Sequence, residues 1–206
     1  MGMSEQVAIL AKAPIPGFAK TRLIPTLGAD RAALLQARLI EHAVKTACAA
    51  EVGRVTLWIT PQEHQQVFSE LRARYPISIA HQSSGDLGSR MLAAARAAGG
   101  LVLIIGTDCP ALEPDHLGSA AAILRKGTDV VLVPAEDGGY VLIGMRRAHP
   151  ALFSEMRWGT PGVIGETRRR IKHLGLSWEE PLVLWDVDTS ADLARLRELK
   201  LDELLC

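Results

Sequence analysis

Three basic side chains occur together near the start of the sequence, in the segment KAPIPGFAKTRL at residues 12–23. They are Lys12, Lys20 and Arg22, and two prolines and a glycine lie between them. A guanidinium can hold two phosphate oxygens at once, and a lysine ammonium supplies a compact positive charge. The segment is neither a Walker loop nor a dinucleotide fingerprint, because GxxxxGK(S/T) and GxGxxG are absent. It predicts a polyphosphate-binding loop, with a solvated basic loop as the alternative.

Two other segments place an aspartate directly after an apolar run. Asp108 stands in IIGTDCPAL beside Thr107, and Asp188 stands in LVLWDVDTSADL. Mg²⁺ or Mn²⁺ uses few protein carboxylates and completes its coordination with substrate phosphate and water. Either aspartate alone could instead cap the helix that follows it. Together, and with a basic loop, they predict a metal site formed by Asp108 and Asp188.

Two later segments could bind a second substrate. The first is EDGGY at residues 136–140, where glycines permit close approach to a ligand, although Asp-Gly between strands also favours a simple hairpin turn. The second is WGT at residues 158–160, whose aromatic ring could line a pocket or pack in the core. The predicted acceptor-binding residues are Asp137, Gly138, Gly139, Tyr140, Trp158 and Thr160.

The segment GDLGSRM at residues 85–91 opens a predicted helix and could contact the substrate through Asp86, although helix capping explains that aspartate nearly as well. The predicted nucleotide-binding residues are Lys12, Lys20, Arg22, Asp86, Thr107 and Asp108. The predicted catalytic residues are Lys20, Arg22, Asp108 and Asp137.

Apolar, β-branched runs alternate with amphipathic stretches along the chain, which predicts strands alternating with helices. This alternation predicts an α/β three-layer sandwich with a mostly parallel mixed sheet. Open parallel sheets bind ligands beyond the carboxyl ends of their strands, where the polar segments lie. The predicted strands are residues 7–11, 55–60, 77–80, 101–106, 129–135, 140–145 and 182–187, and the predicted helices include 30–50, one capped by TPQE at 60–63, 110–126 and 161–174.

Composition narrows the class of protein. The 206 residues are 48% hydrophobic, which is enough to bury one core, and we predict a single domain over residues 1–206. The 23 basic and 23 acidic residues cancel, so neither a nucleic acid nor a membrane is an expected partner. The three cysteines form no CxxC pair and no run is long enough to span a membrane, which predicts a cytoplasmic protein. Both a monomer and a homo-oligomer stay open.

Taken together, KAPIPGFAKTRL, GDLGSRM, GTDCPAL, EDGGYVLIG, WGT and DVDTSADL resemble the radical-SAM/selenodomain-associated transferase family 1, whose members are glycosyltransferase-like with the GT-A fold. More distantly, the chain is similar to the 2-phospho-lactate guanylyltransferases and the molybdenum cofactor nucleotidyltransferases. The resemblance implies a nucleotide-diphospho-sugar transferase fold. It also implies phosphate binding by Lys20 and Arg22, and metal binding by Asp108 and Asp188.

Three functions are consistent with these residues. In the first, an Mg²⁺-dependent enzyme transfers the nucleotidyl group of an NTP to a phosphorylated small molecule held near Asp137. In the second, the same scaffold transfers a glycosyl group from a nucleotide-sugar, and Asp137 or Glu136 orients an acceptor hydroxyl. In the third, the chain is a catalytically inactive nucleotide-binding module. Since this sequence has prolines where nucleotidyltransferases commonly have a glycine-rich loop, the first two functions stay open.

Overall fold

A seven-stranded mixed sheet forms the centre of the protein, whose computed structural model describes residues 5–60, 65–198 and 202–205. The spatial order is β3-β2-β1-β4-β6-β5-β7. Strand β6 is antiparallel to both of its neighbours, β4 and β5, and the other neighbouring pairs are parallel. The strands are β1 (Glu5–Ala11), β2 (Arg54–Ile59), β3 (Ile77–His81), β4 (Leu101–Ile105), β5 (Val130–Pro134), β6 (Tyr140–Met145) and β7 (Trp178–Glu179).

Helices join these strands and cover both faces of the sheet. They are α1 (Ile24–Leu27), α2 (Ala29–Ala49), α3 (Gln65–Arg74), α4 (Leu87–Ala98), α5 (Pro114–Arg125), α6 (Val163–His173) and α7 (Ser190–Glu198), with 3₁₀ turns at Thr21–Leu23, Pro150–Leu152 and Asp202–Leu205. The predicted α/β sandwich with a mostly parallel mixed sheet is therefore confirmed.

The alternation of side chains along each strand divides the apolar residues into two cores. In β1, Val7 and Ile9 pack with α2 and α5 on one face, whereas Ala8 packs with α4 and α6 on the other. All five residues of β4 are buried, because this central strand is covered on both faces. Strands of this kind read in the sequence as continuous apolar runs, which is why they were predictable.

The last predicted strand is wrong. Residues 182–187 run beside the end of β5 but form a single parallel bridge, between Leu184 and Ala135. The regular strand in this region is the short β7 (Trp178–Glu179), which precedes the apolar run. The run packs through Trp185 and Val187 into a third small core with α2 and α7. Its apolar character therefore reflects burial without strand pairing.

The predicted helix at 110–126 begins later than expected, at Pro114. Glu113 is its N-cap, and Pro114 occupies the first helical turn, where a missing N–H costs nothing. Pro110 belongs instead to the turn after β4.

The capping segment predicted at residues 60–63 lies largely outside the described residues. In the part of the chain that the structure describes, no helix has the length and apolar character needed to cross a membrane.

Candidate active site

A cavity of about 470 Å³ opens at the carboxyl edge of the sheet, where β1 and β4 lie side by side. The chain leaves β1 toward β2 on one side and returns to β4 on the other, so this is the point where the strand order reverses. Such a point forms the usual ligand crevice of an open α/β sheet. Eleven of the predicted site residues line this cavity: Lys12, Lys20, Arg22, Thr107, Asp108, Asp137, Gly139, Tyr140, Trp158, Thr160 and Asp188.

The Lys20 ammonium lies between the two aspartates predicted to bind metal. Its Nζ is 2.7 Å from Asp108 Oδ1 and 3.4 Å from Asp188 Oδ1, and it donates a 2.7 Å hydrogen bond to the Val187 carbonyl. The Lys20 side chain is only 4% exposed, and its backbone is left-handed, with φ of 47°. A non-glycine residue adopts that conformation at a cost, so the surrounding structure must hold the ammonium at this position.

The other two cations of the 12–23 segment are held less tightly. Arg22 Nη1 is 3.2 Å from Asp188 Oδ2, but the arginine side chain is 71% exposed, and an exposed ion pair stabilises a fold only weakly. Lys12 Nζ donates to the Phe18 carbonyl at 2.6 Å and so closes the loop on itself. Arg22 therefore has the greater freedom to turn toward an incoming anion.

Neither of the two aspartates predicted to bind a metal serves as a helix cap. Glu113 caps α5, while the Asp108 backbone carbonyl accepts a 2.8 Å hydrogen bond from the Val187 N–H. Asp192 accepts the N–H groups of Asp188 and Thr189 ahead of α7. Both Asp108 and Asp188 therefore direct their carboxylates into the cavity, and helix capping does not explain either of them.

Asp186 is a cavity residue that the sequence analysis did not assign to the site. Burial raises the pKa of its carboxyl to about 6, helped by repulsion from Asp137, Asp188 and Asp108. The sequence signal for Asp186 was the spacing DVD. Side chains two residues apart in an extended chain project to the same side, so Asp186 is expected on the same side as Asp188. The described residues contain no group of three or more His, Cys, Asp or Glu side chains already arranged around a metal position.

A buried hydrogen-bond chain supports Asp108 from behind. Gln36 on α2 donates from Nε2 to Thr107 Oγ1 at 3.0 Å, and Thr107 Oγ1 donates to Asp108 Oδ1 at 3.3 Å. Gln36 was also missed by the sequence analysis. Its signal was a polar residue within the apolar stripe of α2, where it is 4% exposed.

Aromatic and apolar side chains form the opposite wall of the cavity. The Tyr140 and Trp158 rings meet edge to face, with centroids 6.4 Å apart, and the Tyr140 hydroxyl donates to Met91 Sδ at 3.7 Å. Burial raises the pKa of Tyr140, so its phenol stays neutral. Leu87 and Met91, from the first turns of α4, complete this side.

The EDGGY segment is both a hairpin turn and part of the cavity. It joins the antiparallel strands β5 and β6, and Asp137 Oδ1 accepts the Gly139 N–H at 2.8 Å. Gly138 has φ of +91°, and a Cβ added there would lie 2.3 Å from the Pro161 carbonyl oxygen. Gly138 thus clamps the turn against the loop that carries Trp158, but it does not line the cavity itself.

Asp86 has the capping role that the sequence left open. Its carboxylate accepts the Ser89 N–H at 2.8 Å and the Ser89 hydroxyl at 2.7 Å, and these bonds lower its pKa. Asp86 is not among the cavity-lining residues. A Cβ at Gly88, in the same turn, would lie 2.4 Å from the Phe153 carbonyl and 2.9 Å from the Trp158 ring, so this glycine permits Trp158 to pack on α4.

Residues 40–160 match the family model described as an uncharacterized protein conserved in bacteria (DUF2064). The chain belongs to this family. The matched range contains Asp108, Asp137 and Trp158, whereas Lys20 and Asp188 lie outside it. The radical-SAM association that the motifs suggested stays a prediction. No curated protein matches the sequence.

Several solved structures are similar to this chain. One is a protein from Desulfovibrio desulfuricans G20 provisionally described as a nucleotide-diphospho-sugar transferase, with 25% identity, a TM-score of 0.83, and coverage of 99% of this chain and 97% of that one. A nucleotidyl transferase from Methanothermobacter thermautotrophicus has 16% identity, a TM-score of 0.63 and coverage of 98% and 100%. A CMP:2-keto-3-deoxy-manno-octonic acid synthetase complexed with CTP has 13% identity, a TM-score of 0.61 and coverage of 97% and 99%. The description of the Desulfovibrio desulfuricans protein agrees with the predicted class of enzyme, a transferase, and the other two neighbours share its fold.

The Gln36–Thr107 contact gives a stability prediction. Thr107→Val leaves the buried Gln36 amide without this partner, so we expect the free energy of unfolding to fall by about 1–3 kcal/mol. The double variant Gln36→Leu, Thr107→Val removes both polar groups and should recover much of that loss. Urea denaturation of the wild type, Thr107→Val, Gln36→Leu and the double variant measures the coupling. Losses that simply add in the double variant would contradict the coupling.

The raised pKa of Asp186 gives a pH prediction. Because this pKa is about 6 in the fold and the ordinary value of an aspartate is 3.8, the folded state binds more protons than the unfolded state between these values. Wild-type stability should therefore fall as pH rises through this window. We expect Asp186→Asn to gain stability relative to wild type from pH 4 to pH 7, measured by urea denaturation in metal-free buffer. Asp115→Asn, which changes an exposed carboxylate on α5, should show no such trend.

Proposed function

We propose that this protein is a metal-dependent transferase that uses a nucleotide-activated donor, and that its reaction is nucleotidyl transfer from an NTP to a small-molecule acceptor. The observation that supports this proposal best is the Lys20 ammonium between Asp108 and Asp188, at the strand-order reversal of the sheet. The position combines a cation for phosphate with two carboxylates for a metal.

We also propose that residues 1–206 act as one domain, because segments from both ends of the sequence meet in one cavity.

The donor atoms at this position suit Mg²⁺ or Mn²⁺. Asp108 and Asp188 supply hard carboxylate oxygens, are partly exposed, and already share one positive charge between them. Two protein carboxylates are sufficient when phosphate oxygens and water complete the coordination. A bound Mg²⁺ would neutralise charge on the donor phosphates. Asp108 and Asp188 would hold it. Asp186 lies close enough for their charges to raise the pKa of its carboxyl.

In the proposed reaction, an acceptor oxygen attacks the α-phosphorus of the NTP. The new bond joins that oxygen to the α-phosphorus, the bond from the α-phosphorus to the bridging oxygen breaks, and pyrophosphate leaves. Lys20 and Arg22 stabilise the negative charge that develops on the leaving group. This chemistry depends on positioning and charge neutralisation, so it needs no protein nucleophile. Cys109 fits that view, since burial raises the pKa of its thiol to about 12 and keeps it neutral.

Glycosyl transfer from a nucleotide-diphospho-sugar is the second candidate. It is favoured by the description of the Desulfovibrio desulfuricans neighbour. Nucleotidyl transfer ranks first because two cations on the loop after β1 face the metal-site carboxylates, which suits a triphosphate better than a single departing diphosphate. An inactive nucleotide-binding module ranks last, because Asp108 and Asp188 are both present in the cavity. A cytoplasmic location remains part of the proposal.

The proposal is tested by thermal unfolding with Mg²⁺ and a panel of NTPs, NDPs and nucleotide-sugars. A ligand at about 100 times its dissociation constant stabilises a folded protein by roughly 2.7 kcal/mol. We expect an NTP to raise the melting temperature most.

For Asp108→Ala we expect loss of Mg²⁺-dependent nucleotide binding by calorimetry, whereas Asp115→Ala on the exposed face of α5 should bind like wild type. Unchanged affinity in Asp108→Ala would rule out its role as a metal ligand, and a preference for nucleotide-sugars would favour glycosyl transfer.

The position of Lys20 predicts an order of binding. In the absence of nucleotide its ammonium already compensates Asp108 and Asp188, so free metal must compete with it. The neutral variant Lys20→Met should therefore bind Mn²⁺ without nucleotide about tenfold more tightly than wild type, while binding NTP more weakly. Titration followed by electron paramagnetic resonance measures free Mn²⁺ directly. Arg22→Met is the matched control with a smaller expected change, because Arg22 is exposed. Equal Mn²⁺ affinity in wild type and Lys20→Met would refute the competition.

A further inference from the structure

The two sides of the cavity differ in charge. Its lysines and arginine come from the 12–23 segment: among the described lining residues, Lys12, Lys20 and Arg22 are the cations. The side formed by α4, the β5–β6 turn and the loop before α6 is apolar and aromatic, with Asp137 as its charged group among the described lining residues. We call this side the acceptor wall, consisting of Leu87, Met91, Asp137, Tyr140, Trp158 and Val163.

The basic residues near the acceptor wall are not among the residues that line the cavity. Arg90 donates from Nε to the Gly85 carbonyl at 3.2 Å and is not among the lining residues. Arg157 and Arg170 line a depression beside α6 that adjoins the cavity at Thr160 and Val163, and there Arg170 is held by Glu166 and by the Ser154 carbonyl. Lys20 and Arg22 are paired with Asp108 and Asp188. An anionic group resting on the acceptor wall would meet Asp137, and the described residues that line this wall include no cation to offset the repulsion.

The acceptor wall is also held in a fixed shape. The Gly139 N–H fixes the Asp137 carboxylate, and Gly138 is pressed against Pro161. The Ile164 N–H donates to the Gly138 carbonyl at 2.9 Å, which ties α6 to the same turn. Tyr140 is held by Met91. The wall therefore presents one carboxylate beside a preformed aromatic surface.

We infer that the acceptor is a neutral, hydroxyl-bearing molecule with an apolar face, the chemistry of a sugar or cyclic polyol, and that it stacks on Trp158 and Tyr140. Apolar C–H groups pack well on aromatic rings, and Asp137 can accept a hydrogen bond from a hydroxyl but not from a phosphate dianion. This inference rests on the proposed function and refines it. The acceptor phosphate expected from the sequence near Asp137 is disfavoured, because the Asp137 carboxylate would repel it.

The transfer step changes accordingly. The acceptor hydroxyl oxygen bonds to the α-phosphorus, its proton passes to the Asp137 carboxylate, and pyrophosphate leaves with the electrons of the broken phosphoanhydride bond. The products are the nucleotidyl ester of the alcohol and pyrophosphate.

Saturation-transfer difference NMR tests the acceptor class with matched pairs of compounds. Glucose, galactose and myo-inositol are compared with their 1-phosphates, each with the protein, Mg²⁺ and an NTP whose α,β-bridging oxygen is replaced by methylene. We expect at least one neutral compound to give signals that disappear in Trp158→Ala and persist in Trp158→Phe. Absence of signal from all neutral compounds, or equal or stronger signals from the phosphates, overturns the inference. The nucleotide signals in the same spectra report separately on the proposed donor site.

Charge at the acceptor wall is tested by a pair of neighbouring substitutions. Asp137→Asn removes the carboxylate of the wall and should raise binding of the sugar phosphates about tenfold relative to the neutral sugars. Glu136→Gln makes the same change one residue away, where the carboxylate pairs with Arg195 outside the cavity lining, and should leave that ratio unchanged. An unchanged ratio in Asp137→Asn overturns the inference even if the Trp158 variants fail to fold.

Discussion

The ion triad of Lys20, Asp108 and Asp188 is the interaction on which the arrangement of the site depends. It joins three segments that are far apart in sequence and buries a lysine side chain at the edge of the sheet. A buried ammonium is tolerated when it is paired and hydrogen-bonded, and here two carboxylates and the Val187 carbonyl supply those partners. The left-handed backbone at Lys20 shows that local conformational preference yields to this electrostatic requirement.

The fold provides the triad with a rigid base. Strands β1 and β4 are neighbours in the centre of the sheet and are covered on both faces, so the loops that follow them begin from fixed points. The Gln36 amide adds a second constraint, because it holds Thr107 from the side of α2. Gly138 likewise fixes the turn that carries Asp137, because it packs closely against Pro161. Rigid strand ends and short polar supports thus set the distances between charges.

Much of this arrangement could be predicted from the sequence, for identifiable reasons. Central strands are continuous apolar runs, and the aspartate after β4 follows one of them, so its place at the sheet edge was predictable. Residues 182–187 have the same pattern, but they pack through Trp185 without regular strand pairing. An apolar run indicates that a segment is buried, but it does not indicate whether the segment pairs with another strand. Asp86 shows a second limit: a carboxylate at a helix start satisfies capping rules whether or not a ligand lies nearby. Gln36 and Asp186 left weak signals in the sequence, a polar residue in the apolar stripe of α2 and the spacing DVD, but their roles come from contacts across the fold.

The separation between Lys20 and Asp188 has a consequence for how the protein is made. The two residues are 168 positions apart, so during synthesis at about 5–20 residues per second Asp188 is added roughly 10–30 seconds after Lys20. Through that interval the emerging chain can form β1 to β4 and most of its core, while the carboxylate pair is still incomplete. The ion triad thus forms late in the life of the nascent chain, and a product released early would fold in part without completing it.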